Sequence, residues 1–552
     1  MVNHPSSHGM TFHRFAGRIR DVGTCVARPV RGVRAVSLAA ALCIVVAGGA
    51  AGQVVPGEGA GIGGLAADRA RLLQITGRRD TSTTMRLMGW QGIRPTVRSI
   101  WSSEIPSEGN DGELWAGRGT SASVSGGLRY HGTYRGRRIQ LILSPTLAYS
   151  QNETFQITPG RTAGRSSFSS PFHDERASAD LPLRFGDLPI RTFGPGQSSV
   201  TVTDRRLEYG VSTANEWWGP AIRNTLLLSN NAPGVPRLFV RTAAPVRTRF
   251  GEFAGGAFIG ALTESPYFDR DPSNDTRALS GLLVTYRTSL DTGLTLGLSR
   301  LVMAPVRSAP GVLLHSLDAV VRYERVQTLE EIEAEGGTHS GSDQMFSLFA
   351  RWVFPESGFE SYVEWARTQL PRSLSEYLSV PQNTQGYTLG VQWADPRPGT
   401  GFLRVQGEVT YLEQTQVIGA PTMDFYTGRA AVQGFTQRGQ VLGAPIGPGG
   451  SSQFVGADWL TGAWQIGAFA SRTRNESDAM YRQPVNPRDT QHDVTLQSGV
   501  RAGLRLTAAD LFGAVSASRR YNYLFQSDYY LFGPVQAIDV RNVSVTFVLS
   551  PR

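Results

Sequence analysis

The sequence predicts an all-β fold: a large closed antiparallel transmembrane β-barrel of about 16–18 strands, with a small N-terminal periplasmic helical element. Three observations predict it. The chain opens on a secretory pattern, no later apolar run approaches the length of a membrane helix, and strand-length segments alternate apolar with polar residues.

The opening comes first. Arg14, Arg18, Arg20, Arg28, Arg31 and Arg34 form a positive region containing one acid, Asp21. The apolar run Ala35–Ala47 follows, then the small residues 48–52. This is the order of a secretory signal, with cleavage before Gln53 and Met10 as an alternative start. Read as a membrane anchor, the run is short of the roughly 20 apolar residues a helical span needs. Leu42 before Cys43 argues against a lipoprotein signal. The chain therefore divides into a signal peptide (1–52), an N-terminal periplasmic helical segment (53–118) and an outer-membrane barrel (119–552).

Removing residues 1–52 removes both cysteines, Cys25 and Cys43, which excludes disulfide and thiol chemistry from the mature chain. Six arginines and Asp21 leave with them, so the formal charge falls from +9 to +4. So mild an excess does not point to nucleic acid. The basic residues are all arginine, whose planar fork suits carboxylate or phosphate partners.

The longest apolar run after the signal is Ala254–Leu262, so membrane crossing falls to strands. Lipid offers no partners to backbone polar groups, and a closed barrel is the strand arrangement that satisfies them all. The periodicity supports it. Leu403, Val405, Val409 and Tyr411 alternate with Arg404, Gln406, Glu408 and Thr410. Successive strand residues point to opposite faces, and turning Arg404 toward mid-bilayer would cost about 2–4 kcal/mol. Similar alternation runs through 282–287, 294–299, 346–352, 359–365, 387–393 and 542–549. Aromatic residues such as Trp352, Tyr387, Trp393 and Tyr411 fall near strand ends, where interfacial girdles sit. Short turns (289–293, 354–358, 395–401) alternate with long connections (305–343, 369–385, 413–439), as periplasmic turns and outer loops do.

Two segments read as non-strand. Leu65, Leu72 and Ile75 have helical spacing before Gly77, a stop signal. Residues 312–335 read as a helix over or inside the pore, ending in the acidic run Glu330, Glu331, Glu333 and Glu335, which on its own is a solvated face.

The candidate site is Asn215-Glu216-Trp217-Trp218-Gly219-Pro220 with Asn230-Asn231 downstream. Tryptophan with asparagine suits a sugar: an apolar ring for the pyranose face and amides for its hydroxyls. The alternative is structural, with packed or interfacial tryptophans and asparagines in a turn. Enzyme chemistry has little support, since no His-Glu-x-x-His, Gly-x-Ser-x-Gly or Cys/His cluster occurs. No catalytic residue, cofactor or metal is expected. The acid-rich Asp269–Asp275 could offer oxygens to calcium but lacks EF-hand spacing and reads as an outer loop.

Trp217-Trp218-Gly219-Pro220 followed by Leu228-Ser229-Asn230-Asn231-Ala232 resembles the signature of the capsule-assembly outer-membrane family called Wzi-like. Asp180–Gly186 with Gly196-Gln197-Ser198, Gly297–Arg300 and Arg438–Pro448 are similar to further blocks of that family. The resemblance implies a non-enzymatic, lectin-like barrel that retains capsular or extracellular polysaccharide at the cell surface. It makes Trp217, Trp218, Gly219, Pro220, Arg223, Asn230 and Asn231 the polysaccharide-binding or family-motif residues. Ala444 departs from the pattern, standing where a polar residue or histidine is implied. The expected partners are polysaccharide, outer-membrane lipid and the barrel-assembly machinery, not nucleic acid. A diffusion porin and an outer-membrane hydrolase are the alternatives.

Overall fold

The computed structural model describes residues 71–77 and 88–551, apart from 108, 110, 161, 174–177, 324–340, 372, 380–383, 396, 398–400, 415–424, 483–490 and 526–537. The proposed signal peptide, the Glu330–Glu335 run and the helix before residue 71 lie outside the described residues.

Eighteen antiparallel strands form the wall. The first nine are β1 (Gly89–Ser102), β2 (Gly119–Tyr134), β3 (Arg137–Leu143, resuming at Thr146–Ser150), β4 (Ile190–Gly194 and Ser199–Asp204), β5 (Leu207–Ser212), β6 (Arg237–Thr242 and Val246–Thr248), β7 (Gly251–Thr263), β8 (Thr276–Thr288) and β9 (Leu294–Pro305). The others are β10 (Asp343–Phe354), β11 (Phe359–Arg367), β12 (Gln385–Ala394), β13 (Gly401–Tyr411), β14 (Ser451–Thr461), β15 (Trp464–Asn475), β16 (Asp493–Arg505), β17 (Ala509–Tyr521) and β18 (Val540–Pro551). Each strand pairs with its chain neighbour, and β1 pairs with β18 from Val97↔Leu549 to Ser102↔Ser544. Among the described residues the sheet has no free edge, so the ladder satisfies its backbone groups within the wall.

The wall begins at Gly89 rather than at residue 119. Pairing of β1 with both β2 and β18 corrects that boundary. The strand escapes the alternation rule because its register shifts between Ile93 and Thr96, around Pro95, which has no N–H for the ladder.

Elsewhere parity predicts orientation. Leu403, Val405 and Val409 are 37–41% exposed on the outside, whereas Arg404, Gln406, Glu408 and Thr410 are 0–4% exposed within. Short turns gather at one end with both ends of the wall. In the two-residue turn after β2, Arg135 (φ 50°) and Gly136 (φ 78°) both take the left-handed conformation that matches hairpin twist. The long connections gather at the other end.

The interior is packed. The loop 213–236 and the described parts of the loop 412–450 (412–414 and 425–450) fold into the barrel from the long-loop end. There Trp218, Leu226, Leu227, Leu228, Phe425, Tyr426, Phe435 and Leu442 form one core with the inward wall residues Phe258, Leu283, Leu301, Met303, Met345 and Phe349. Residues 71–75 form the helix predicted before Gly77, where φ is +65°. Leu72 and Ile75 pack on the inward-facing Ala394 and Leu460, and Gly77 lies against Pro355 of a short turn. The helix thus sits in the short-turn mouth instead of ahead of the barrel. The described part of the 305–343 connection is also not in the pore: it lies on the outer wall.

Candidate functional site: the lumenal plug and the mouth of the barrel

The double-tryptophan loop turns inward on a glycine. Gly219 has φ +137°, and a Cβ there would collide with Thr225 Oγ1 and the Glu364 carboxylate. Only glycine allows this close approach at that φ. The turn closes through Trp218 N–H donating to Leu228 O at 3.0 Å. Trp217 and Trp218 are 5% and 4% exposed. Trp217 Nε1 donates to Ala221 O at 3.1 Å, and Trp218 Nε1 donates to Glu216 at 3.3 Å. The Trp218 ring meets Phe258 edge-on, with centroids 5.3 Å apart, a favoured aromatic geometry.

Lumenal carboxylates hold this loop. Glu408 of β13 accepts the backbone N–H groups of Ile222 (2.7 Å), Arg223 (3.1 Å) and Asn224 (2.8 Å), and the Tyr362 hydroxyl at 2.7 Å. Glu364 of β11 accepts Leu226 N–H at 3.2 Å and Thr225 Oγ1 at 3.3 Å. Glu360, four residues further toward the short-turn end on the same face, pairs with Arg71 and Arg351, each at 2.6 Å. Gln392 Nε2 donates to its other oxygen, also at 2.6 Å. Arg71 also donates to Pro220 O at 2.7 Å, so one guanidinium joins the N-terminal helix, the wall and the loop. A buried charge persists when it is paired or well hydrogen-bonded. Glu360 has two arginines and Glu408 four donors, whereas Glu364 keeps Oε1 without a hydrogen-bond partner among the described residues.

The sequence-predicted residues are not gathered on one sugar-facing surface. The tryptophan rings enter the core. The Arg223 guanidinium lies over the Phe454 ring, 4.2 Å from its centroid. Asn230 O accepts Gly112 N–H at 2.7 Å, and Asn231 Nδ2 donates to Val441 O at 2.9 Å, so the asparagines clasp neighbouring loops. The other motif blocks join the same framework. Gln197 and Asn215 bond reciprocally at 2.7 and 3.0 Å. Asp180 accepts Ser265 N–H and Oγ–H, both at 2.6 Å. Ala444 is fully buried; its N–H donates to the Tyr426 hydroxyl, which donates to Leu226 O, both at 2.8 Å. A closed apolar site leaves no room there for the polar side chain the resemblance implies.

Sequence reasoning missed a cleft at the long-loop mouth. About 300 Å³ in volume, it is lined by Trp115, Phe185, Tyr267, Glu113, Glu264 and Arg438 among others. The rings run in a row, with centroids 4.3 Å apart for Trp115–Phe185 and 5.6 Å for Phe185–Tyr267. Aromatic faces beside carboxylates and an exposed arginine can bind a sugar ring and its hydroxyls. The lining comes from separate loops and wall strands, so no local signal marks it. A second cavity of about 550 Å³ lies below the plug, with Trp218, Glu216, Arg138, Glu208 and Arg241 in its walls.

Glu264, just beyond β7, accepts Gln433 Nε2 at 2.6 Å. Burial, with Asp269 and Asp180 nearby, pushes its carboxyl up to about 7. A carboxyl raised on folding contributes stability below its unfolded value that is lost as pH rises through the folded one. The unfolding midpoint is therefore expected to fall between about pH 4.5 and about pH 7 and then level off, and Glu264→Gln to flatten that dependence. Equal slopes for both proteins would remove Glu264 as the cause.

Among the described residues no group of three or more His, Cys, Asp or Glu is arranged to hold a metal ion. In Asp269–Asp275 the acids turn to their own backbone: Asp269 accepts Asp271 N–H at 2.8 Å and Asp271 accepts Ser273 N–H at 2.9 Å.

The fold has counterparts among solved structures. One is Wzi, an outer membrane protein involved in group 1 capsule assembly in Escherichia coli and described as a carbohydrate-binding β-barrel. It matches with TM-score 0.50 and 11% identity, over 88% of this chain and 87% of that one. This chain shares that fold, a large closed antiparallel β-barrel. Occ barrels match with lower scores. Acinetobacter baumannii OccAB3 has TM-score 0.41 and 8% identity, over 83% and 98% of the two chains. Pseudomonas aeruginosa OccK2 in complex with glucuronate has 0.39 and 10%, over 84% and 96%. No family model and no curated protein matches the sequence.

Proposed function

We propose that this protein retains capsular or extracellular polysaccharide at the cell surface without chemically altering it, and that it conducts poorly or not at all. The observation that carries the reading is the filled lumen: two long loops form an apolar core inside the wall, tied by Glu364 and Glu408. A barrel whose interior is spent on holding its outer loops serves presentation better than flow. In this reading Trp217, Trp218, Gly219, Pro220, Arg223, Asn230 and Asn231 are the internal frame. The glycan is met at the mouth, by Trp115 and Tyr267, which flank the buried Phe185. The Wzi barrel, similar in fold, is described as carbohydrate-binding, which is consistent with this assignment. Insertion by the barrel-assembly machinery and contact with outer-membrane lipid belong to the same proposal.

Deleting the gene is expected to move surface polysaccharide into the medium. Restoring it with Trp115→Ala should weaken glycan binding by about tenfold, equivalent to about 1.4 kcal/mol, while the barrel still assembles. Retention equal to that of the parent in both strains would sink the proposal. The cavity below the plug favours a diffusion porin as the second reading. Planar-bilayer recordings separate the two: steady open channels from the unmodified protein would favour the porin.

A further inference from the structure

The outer wall of β7–β11 carries two straps. Leu296 and Leu298 of β9 face outward and are exposed, and parity places Arg300, Val302 and Ala304 on the same face. Leu301 and Met303 point the other way, into the plug core. A lipid-facing arginine is costly, yet Arg300 is buried, because Ala309–Tyr323 folds back over the outside of the wall. Arg300 donates to Ala319 O at 3.0 Å, to Gln344 Oε1 at 2.9 Å and to Arg322 O. Its guanidinium lies 4.4 Å from the Tyr323 ring centroid. Ala319 N–H donates to the outward Ser280 Oγ at 2.9 Å, and Val312 packs on Ile259, Ala278 and Val306. Asp318 pairs with His315 at 2.7 Å and Arg322 at 3.2 Å.

With Asp318 and the Ala319 backbone turned to the wall and only Ser316 and Arg322 as exposed polar residues on the far side, the strap presents Leu313, Leu314, Leu317, Val320 and Val321, all more than half exposed. A second strap repeats the arrangement two strands away. Phe346 is the register partner of both Arg300 and Arg367. Arg367 is buried beneath the short helix Leu374–Ser379, 5.6 Å from the Tyr377 ring centroid. Leu374 and Leu378 are exposed. Beside the first strap runs an apolar groove of about 410 Å³, lined by Leu143, Val200, Val211, Leu238, Ile259 and Leu313. The first four belong to the exposed outer belt of the barrel.

We infer that both straps lie in the outer leaflet and that the groove beside the first seats a lipid acyl chain. The groove is continuous with the lipid-facing belt, so acyl chains are the medium at its open side. Contiguous exposed apolar surface marks an interaction site, and an element with one polar-bonded face and one leucine face lies in the membrane interface. The inference needs the barrel to sit in the membrane but does not depend on glycan binding.

The test uses the full chain with Cys25 and Cys43 replaced by serine, inserted in phosphatidylcholine vesicles. A fluorophore is placed at Leu313→Cys or, for comparison, at Asp271→Cys in an outer loop. Nitroxide on the acyl chain is expected to quench the Leu313 probe roughly threefold more than the Asp271 probe, with iodide showing the reverse order. Equal responses at the two positions would overturn the inference. So would protection of the Leu313 probe from both quenchers together with a dimeric mass, because a second copy would then cover the groove.

Discussion

Glu408→Ala is expected to open the barrel. The carboxylate is the acceptor for three consecutive backbone N–H groups at 222–224 and for the Tyr362 hydroxyl. Truncation strands these donors in the lumen. Hydrogen bonds to a charged group contribute about 1.5–3 kcal/mol each, and a buried unsatisfied donor costs about 1–3 kcal/mol. Water admitted on opening offsets part of this, so the plug should lose roughly 3–5 kcal/mol of docking free energy. That shifts the open population by about two to three and a half powers of ten. Planar-bilayer recordings should turn from silent to frequently open, while heat-modifiable migration on gels shows that the wall still forms. Glu408→Gln keeps one acceptor oxygen and should fall between the two. A Glu408→Ala protein as silent as its parent would mean that the loop is held by its apolar core alone.

Trp218→Ala tests that core from the other side. Removing a large buried aromatic costs about 3–5 kcal/mol, through lost transfer energy and the cavity left behind. Trp218 packs on Phe258 and also borders the cavity beneath the plug, so truncation should enlarge that cavity toward the mouth. The expected result is a lower denaturant midpoint for the plug, together with released polysaccharide. Trp218→Phe separates structural from sugar-contacting roles. It keeps the edge-on packing while removing the indole N–H that bonds Glu216. Retention restored by phenylalanine supports a frame. Glycan binding lost in the phenylalanine variant with an unchanged midpoint would instead place the indole against the sugar.

Much of the wall was legible because strand parity is local. The alternation at 403–411 told which residues would meet lipid, and their burial follows it residue by residue. The turns at 289–293 and 354–358 were legible for the same reason. β1 was not, because Pro95 and the register shift beside it break the two-residue period. The candidate site was only partly legible. Trp217-Trp218-Gly219-Pro220 stood out as unusual, and Gly219 does make a turn that other residues would obstruct. Nothing near it in the chain announced Glu408, 186 residues from Ile222, or Arg71, 289 residues from Glu360. Acids on the inward face, such as Glu360 and Glu364, are the ordinary polar lining of any barrel and carry no local mark of what they hold. The mouth cleft draws Trp115, Phe185 and Tyr267 from three loops, and no spacing rule connects them.

By itself, the sequence determined that the chain would close into a ring of strands, and which side of each regular strand would be greasy. Both follow from backbone geometry repeating every two residues and from the cost of leaving peptide groups unpaired in lipid. Tertiary structure alone decided what fills that ring. Loop placement rests on carboxylates and arginines meeting across hundreds of residues, and on which face of the wall a returning segment finds apolar. For that reason the tryptophans turned inward and the 309–323 strap turned out.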